Sequence, residues 1–288
     1  MLTYSQAFYD LKNAILPLYD EGESSAIAHE ILNYLTDLNR LQRLSEKDTT
    51  FTQEQQLRYN SIKKKLLNAT PPQYIIGKSW FLGREFNVNE QVLIPRPETE
   101  ELVQWIVDDT KQNNLHTPAI LDIGTGSGCI PISLKLAIPD ANVTACDISA
   151  GALLVARSNA DMYQVNINIQ PIDFLDESSR EQLGNFDIIA SNPPYIPFTQ
   201  KDTLHRNVVD HEPHVALFVP GEEPLLFYVV IADFGLKHLN KNGCIYCELD
   251  ADHATEARDL FESKGYVDVE IRKDLSGKTR MIKAVLKK

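Results

Sequence analysis

Five short apolar runs, at residues 119–123, 143–146, 167–169, 186–190 and 244–249, are separated by stretches long enough to hold helices. Parallel strands cannot be joined by a tight turn, so each successive pair needs a crossover of about a dozen residues or more, usually an α-helix. The alternation, which sets in beyond Pro97, therefore predicts βαβ units and a doubly wound α/β fold built on a parallel sheet. Ligands bind such sheets outside the carboxyl ends of the strands. The residues that follow each run are thus where chemistry is expected.

The first 70 residues read differently. Thr3 with Gln6, and Thr52 with Gln55, have the capping-box spacing, in which a hydroxyl and an amide satisfy orphan N–H groups at a helix start. Ile27, Ile31, Leu35 and Leu38 recur at helical spacing, and Leu57, Ile62, Leu66 and Leu67 form a further apolar set. No strand-like alternation precedes Pro71-Pro72, which is expected to end the last helix because proline lacks the N–H a helix needs. This predicts a small α-helical domain over residues 1–72. From Gln73 the period shortens, and residues 74–77, 80–83 and 86–88 predict a β-hairpin linker over 73–95, with the α/β domain at 96–288.

At 288 residues, and roughly 150 per domain, two domains are expected. The longest apolar stretch, residues 225–232, ends at Asp233 and is far shorter than the roughly 18 residues of a membrane span; it is expected to be a helix packed on the sheet. The N-terminus has no basic, apolar and small-residue succession of a secretory signal, so a cytoplasmic address is expected. Residues 1–72 hold 8 basic and 9 acidic side chains, leaving 20 and 31 for residues 73–288, so nearly all of the net −12 lies in the larger part. That balance disfavours a phosphate backbone as partner. Four cysteines without a signal read as reduced thiols.

The cofactor signal is Asp122-Ile123-Gly124-Thr125-Gly126-Ser127-Gly128, directly after an apolar run and opening an apolar helix. Alternate glycines let the backbone turn tightly and approach a ligand with no Cβ in the way. The spacing is neither the dinucleotide fingerprint nor a Walker loop, so the ligand need not be a pyrophosphate. Asp147 ends the next strand, where a carboxylate can accept both hydroxyls of a ribose. Asp173-Phe174, after the third, can offer a carboxylate to an adenine amine and an aromatic face to its ring.

The second signal, Ser191-Asn192-Pro193-Pro194-Tyr195, follows the fourth run. Two prolines stiffen the turn. Asn192 Oδ1 and the Pro193 carbonyl can each accept one N–H of a planar NH₂ group, on whose plane Tyr195 can stack. Two other features carry less. Cys244 and Cys247 lie three apart on an expected strand and so face opposite sides, with no second pair to complete a zinc site. His211-Glu212-Pro213-His214 lacks the i, i+4 histidines of a zinc helix.

Together these motifs resemble the class I S-adenosylmethionine methyltransferases that act on planar amino groups. The stretches at 73–77 and 92–102, Glu212-Pro213 with Ala216-Leu217, and Asp274-Leu275-Ser276-Gly277-Lys278 with Arg280 are similar to the release-factor glutamine N5-methyltransferases. The chain departs from that pattern at Leu249-Asp250, where the family more often has a glycine. The resemblance implies a mostly parallel, Rossmann-like sheet of seven strands with one antiparallel member near residues 280–286. It implies S-adenosyl-L-methionine as cofactor and S-adenosyl-L-homocysteine as product, held by Gly124, Thr125, Gly126, Ser127 and Gly128, with Asp147 at the ribose and Phe174 at the adenine. Asn192 would stand where cofactor and substrate meet, and Asn192, Pro193, Pro194 and Tyr195 would hold a glutamine amide of a peptide chain release factor. Asn192, Pro193 and Tyr195 are the expected catalytic residues, with no metal and no membrane partner. N6-methylation of adenine in DNA or RNA is the alternative, since the same loop suits any planar NH₂; a cofactor-binding module without catalysis is a third.

Overall fold

A computed structural model describes residues 1–287 of the chain. It divides into two units, Met1–Lys78 with His205–His211, and Ser79–Leu204 with the chain from Glu212 onward.

The first unit is built from α1 (Tyr4–Ile15), α2 (Glu21–Thr36), α3 (Arg40–Ser45), α4 (Gln53–Leu67) and α5 (Pro72–Ile76). Both expected capping boxes form, and Asn39 with Gln42 makes a third at the start of α3. Leu11, Ile15, Ile31, Leu32, Tyr59 and Leu66 are among its large, fully buried side chains. On α4 only half of the expected apolar set points inward. Ile62 and Leu66 are buried, whereas Leu57 is 65% exposed and Leu67 48%, because neither shares the helix face on which residues four apart align.

The hairpin begins later than the sequence predicts. Residues 73–76 are helical: Pro72 occupies the first helical position, where its missing N–H costs nothing and its φ is already suitable. Gly77, at φ 81°, closes the helix by donating its N–H to the Gln73 carbonyl at 2.7 Å. Ile75 and Ile76 pack on the helical core, so their adjacency serves a helix end and not a strand.

In the second unit β1 (Lys78–Phe81) and β2 (Arg84–Asn87) form the actual hairpin. It is followed by α6 (Pro97–Gln112), β3 (Ala119–Ile123), α7 (Cys129–Ala137), β4 (Asn142–Asp147), α8 (Ala150–Met162), β5 (Asn168–Pro171), α9 (Glu177–Arg180) and β6 (Phe186–Ser191). Then come α10 (Arg206–Val209), α11 (His214–Leu217), α12 (Leu226–His238), β7 (Leu239–Glu248), α13 (Ala254–Ser263), β8 (Val267–Lys273) and β9 (Thr279–Leu286). The segment carrying α10 belongs by packing to the first unit, where His205 Nε2 lies 3.0 Å from the Leu18 carbonyl and His211 Nε2 2.8 Å from that of Asn68. Boundaries drawn along the chain do not contain this return.

The seven-stranded sheet has the order β5-β4-β3-β6-β7-β9-β8, and β9 is the one strand antiparallel to its neighbours. The strand number and the single antiparallel strand, at Thr279–Leu286, match the expectation from the resemblance. One face packs under α12 and α13, with Tyr228, Ile231 and Phe261 buried. The other packs under α6 and α7, with Leu102, Trp105, Ile130 and Ile132. Cys244 lies against the second cluster and Cys247 in the first, on opposite faces of β7. Residues 225–232 lead into and form the first half of α12, the helix before β7. Among the described residues no helix is long and apolar enough to cross a membrane.

Candidate active site

Strand order reverses between β3 and β6, which opens a crevice at their carboxyl ends. Ile123 is level with both Cys146 and Ser191, and Ser191 with Cys247. The glycine loop, Asp147, Asn192 and Glu248 therefore stand side by side along one edge, each the first or last residue of its strand end. A cavity of about 270 Å³ lies there. Its wall includes Gly124, Thr125, Gly126, Ser127, Asp147, Phe174, Asn192, Pro193 and Pro194.

Two expected site residues stand outside that lining. Gly128 (φ +80°) is a packing glycine: a Cβ there would meet Ile132 Cδ1 at 3.0 Å, Ala156 Cβ at 3.2 Å and Ala156 Cα at 3.3 Å. At Gly126 (φ +53°) it would meet no protein atom within 4 Å. Gly128→Ala is therefore expected to destabilise the fold by about 2–4 kcal/mol, from left-handed strain plus the push on α8. Gly126→Ala should bear the strain alone and show its larger loss in cofactor affinity. Thermal melts and calorimetry on the two variants compare these, and equal melts with equal affinities would count against the distinction. Tyr195 is the second such residue. It packs against the core cluster, its hydroxyl lies 3.5 Å from Glu248 Oε1, and burial with the Glu248 charge beside it raises its pKa.

Asp147 does more than face the cavity. Its Oδ2 accepts from the Gly126 N–H at 2.9 Å and its Oδ1 from the Ser149 N–H at 2.8 Å. The carboxylate thus ties the glycine loop to the start of α8. Burial raises its pKa against the pull of those N–H groups. Phe174 is buried, edge-on to Phe234 with centroids 5.1 Å apart, so its ring is held by the core as it borders the cavity.

The first turn of α6 is a junction that the motif reading passed over. Thr99 Oγ1 donates to Glu248 Oε2 at 2.6 Å and accepts from Asn192 Nδ2 at 3.2 Å. Glu100 receives the Leu82 N–H at 2.8 Å, and Glu101 that of Leu275 at 3.0 Å. Just upstream, Arg96 pairs with the buried Glu212 at 2.6 Å, and the other Glu212 oxygen takes the Ile94 N–H at 3.2 Å. Burial raises the Glu212 pKa while Arg96 opposes it. The missed signals were present: Glu248 is an acid at a strand end, and Thr99 is a hydroxyl in an otherwise charged helix start.

Similarity to known proteins bears on this geometry. Residues 101–215 match the methyltransferase small domain, and residues 11–77 the PrmC N-terminal domain. A release factor glutamine methyltransferase of Flavobacterium psychrophilum is 40% identical over 271 residues, 94% of each chain. The chain belongs to the release factor glutamine methyltransferase family. The enzyme of that name from Bacteroides thetaiotaomicron is 38% identical over 95% of this chain and 97% of its own. A crystal structure of a methyltransferase from Pyrococcus furiosus, 18% identical, covers 82% of this chain and 100% of its own with a TM-score of 0.51, which supports the fold.

The methyl donor of such methyltransferases is S-adenosylmethionine, and the residues at this edge fit it. Asp122 is completely buried with neither carboxylate oxygen hydrogen-bonded among the described residues, and the Thr125 and Ser127 hydroxyls are likewise buried without partners. Unsatisfied buried polar atoms are costly. Their clustering beneath a loop with an open glycine cradle matches a cationic, polar ligand. In this release factor glutamine methyltransferase relative, Asp147→Ala is expected to weaken S-adenosylmethionine binding by roughly 1.5–3 kcal/mol, the range for a hydrogen bond involving a charged group. Calorimetry checks it. Unchanged affinity would leave Asp147 with its loop-tying role only.

Proposed function

We propose that this chain transfers a methyl group from S-adenosylmethionine to the side-chain amide nitrogen (N5) of the glutamine in the Gly-Gly-Gln loop of a peptide chain release factor. One observation carries the chemical part of the reading. Asn192 borders the cavity with its Nδ2 already engaged by Thr99, while its Oδ1 receives no hydrogen bond among the described residues. That leaves an acceptor for a substrate N–H.

An amide nitrogen is a poor nucleophile because its lone pair is delocalised into the carbonyl. Bound S-adenosylmethionine supplies an electrophilic methyl on a sulfonium. The side chains' part is orientation: Asn192 Oδ1 and the Pro193 carbonyl each draw one N–H, which turns the nitrogen lone pair toward the methyl. Positive charge would grow on nitrogen as the N–C bond forms and the S–C bond breaks to leave S-adenosylhomocysteine; both acceptors stabilise that charge more than they stabilise the ground state, and the nitrogen then loses one N–H proton to water. The stiff Pro193-Pro194 turn keeps the two acceptors in register. Tyr195, expected to stack on the substrate, instead packs against the core outside the cavity lining and anchors the far end of the loop. Gly124, Thr125, Gly126, Ser127, Asp147 and Phe174 hold the cofactor. We assign to the helical unit, with Tyr9, Leu41 and Leu57 exposed on it, the docking of the protein substrate, and we place the reaction in the cytoplasm.

The test uses methyl-labelled S-adenosylmethionine and three acceptors: a release factor, the same factor with its loop glutamine replaced by alanine, and duplex DNA. Label on the first alone is expected. Label on DNA instead would favour adenine methylation, and label on none would leave a binding module.

A further inference from the structure

Asn192 can help a substrate NH₂ only in one of its two amide orientations. Half a turn about its last side-chain torsion exchanges Oδ1 for Nδ2, which have almost the same shape but opposite hydrogen-bonding character. In the wrong orientation the amide would present its own hydrogens to those of the substrate. Nothing about the size of the pocket distinguishes the two. The choice is made by what the inner end of the amide meets.

It meets Thr99. A hydroxyl gives one proton and accepts through its lone pairs, so its direction depends on its other partner. That partner is Glu248 Oε2, 2.6 Å away and buried at the carboxyl end of β7. Burial raises the Glu248 pKa to about 7, so above neutral pH it is an ionised carboxylate that accepts only; the Thr99 hydrogen then points at Glu248 and its lone pair is left for Asn192 Nδ2 at 3.2 Å. The amide oxygen is thereby turned outward.

We propose that Thr99 and Glu248 are positioning residues: the one-way hydrogen-bond chain Asn192→Thr99→Glu248 locks the Asn192 amide with Oδ1 toward the substrate. The inference rests on the reading of Asn192 given above and extends it to the two groups that set the direction of its amide.

The setting of Glu248 supports this role. It makes no ion pair among the described residues, although a buried carboxylate is expensive to keep. The groups around it come from every neighbouring element. Glu98 lies on α6, Arg96 just before it and Arg280 on β9; the Tyr195 hydroxyl is 3.5 Å from Oε1, and the Tyr228 hydroxyl on α12 donates to the Glu248 backbone carbonyl at 2.9 Å. Burial, with Glu98 adding to it, opposes its charge, and the Thr99 hydrogen bond and, more weakly, Arg280 and Arg96 favour it. A carboxylate used only as a staple between α6 and the sheet would gain from a direct cation. One used to set a hydroxyl's direction needs only its lone pairs.

Three variants test this in the full-length protein: Thr99→Val, Thr99→Ser and Glu248→Met. Release-factor methylation is followed by kcat and KM, cofactor binding by calorimetry, and folding by thermal melts. Thr99→Val is expected to lower kcat by roughly ten- to hundredfold, the usual scale for loss of an orienting partner, with KM and cofactor Kd within about threefold of wild type. Thr99→Ser, which keeps the hydroxyl, should restore most of kcat. Glu248→Met should lower kcat as Thr99→Val does, and the double variant should be no worse than either, because links in series do not add. A Thr99→Val enzyme with wild-type kcat would overturn the proposal. So would serine failing to rescue, or losses that add in the double variant. A wild-type protein that methylates no release factor would instead overturn the functional reading on which the proposal stands.

Discussion

Asn192→Ala is expected to reduce kcat by roughly a hundredfold or more, equivalent to about 2.7–4 kcal/mol of barrier, by analogy with the loss of one preorganised polar contact at a reacting centre. The acceptor it removes gains strength as positive charge develops on the substrate nitrogen, so the loss falls on the transition state more than on binding. Cofactor affinity should change far less, since the glycine loop and Asp147 remain. The variant also frees Thr99, whose hydroxyl keeps Glu248 as partner, so the fold should be little affected. Steady-state kinetics with a release factor, beside calorimetry for S-adenosylmethionine, make the comparison. A folded variant turning over at near wild-type kcat would refute the mechanism.

The second large effect concerns stability. Asp122, on β3, is completely buried, and burial pushes its pKa from 3.8 up to about 7, with the nearby Asp147 charge adding to the rise. The folded protein therefore holds this proton more tightly than the unfolded chain does. Its contribution to stability is full below the unfolded value and is lost as pH rises through the folded one. Without cofactor, stability should fall between about pH 4 and pH 8. Asp122→Asn removes the charge that must be buried above pH 7 and is expected to stabilise the cofactor-free protein at pH 8 by on the order of 2–4 kcal/mol. The slope should flatten without vanishing, because Glu248, likewise pushed by burial to about 7, still titrates. The same substitution should weaken S-adenosylmethionine binding by about tenfold or more, since a cationic ligand loses a nearby counter-charge in a poorly solvated site. Melts from pH 4 to 8, with and without cofactor, read both effects. A variant whose cofactor-free stability falls with pH as steeply as wild type would show that Asp122 is not the titrating group.

Much of this was readable along the chain. Residues 119–123 are β3 to the residue, and the capping boxes at Thr3 and Thr52 form as spaced. The glycine loop, Asp147 and Asn192 all border one cavity. Such features are local: a strand, a turn and a helix start are specified by residues within a few positions of one another. The failures were of two kinds. At residues 73–77 a short apolar run fitted strand and helix equally, and packing of Ile75 and Ile76 on the helical core decided it. On α4, apolar identity alone did not reveal that Leu57 and Leu67 face outward.

What the order of amino acids determined by itself was the set of elements, the glycine and proline turns at strand ends, and hence which edge of the sheet would carry chemistry. What only the tertiary structure decided was which distant groups share that edge. Thr99 and Glu248, 149 residues apart, meet because α6 packs beside β7 and not because of any pattern that either segment carries. That Gly128 lies outside the cavity lining, with Ala156 of α8 standing against it, was not readable from the glycine spacing. The return of residues 205–211 to the helical unit was equally hidden. Periodicity and turn chemistry act through the local backbone, whereas hydrogen-bond partners, burial and the pKa values that follow are properties of neighbours assembled from segments far apart in the chain.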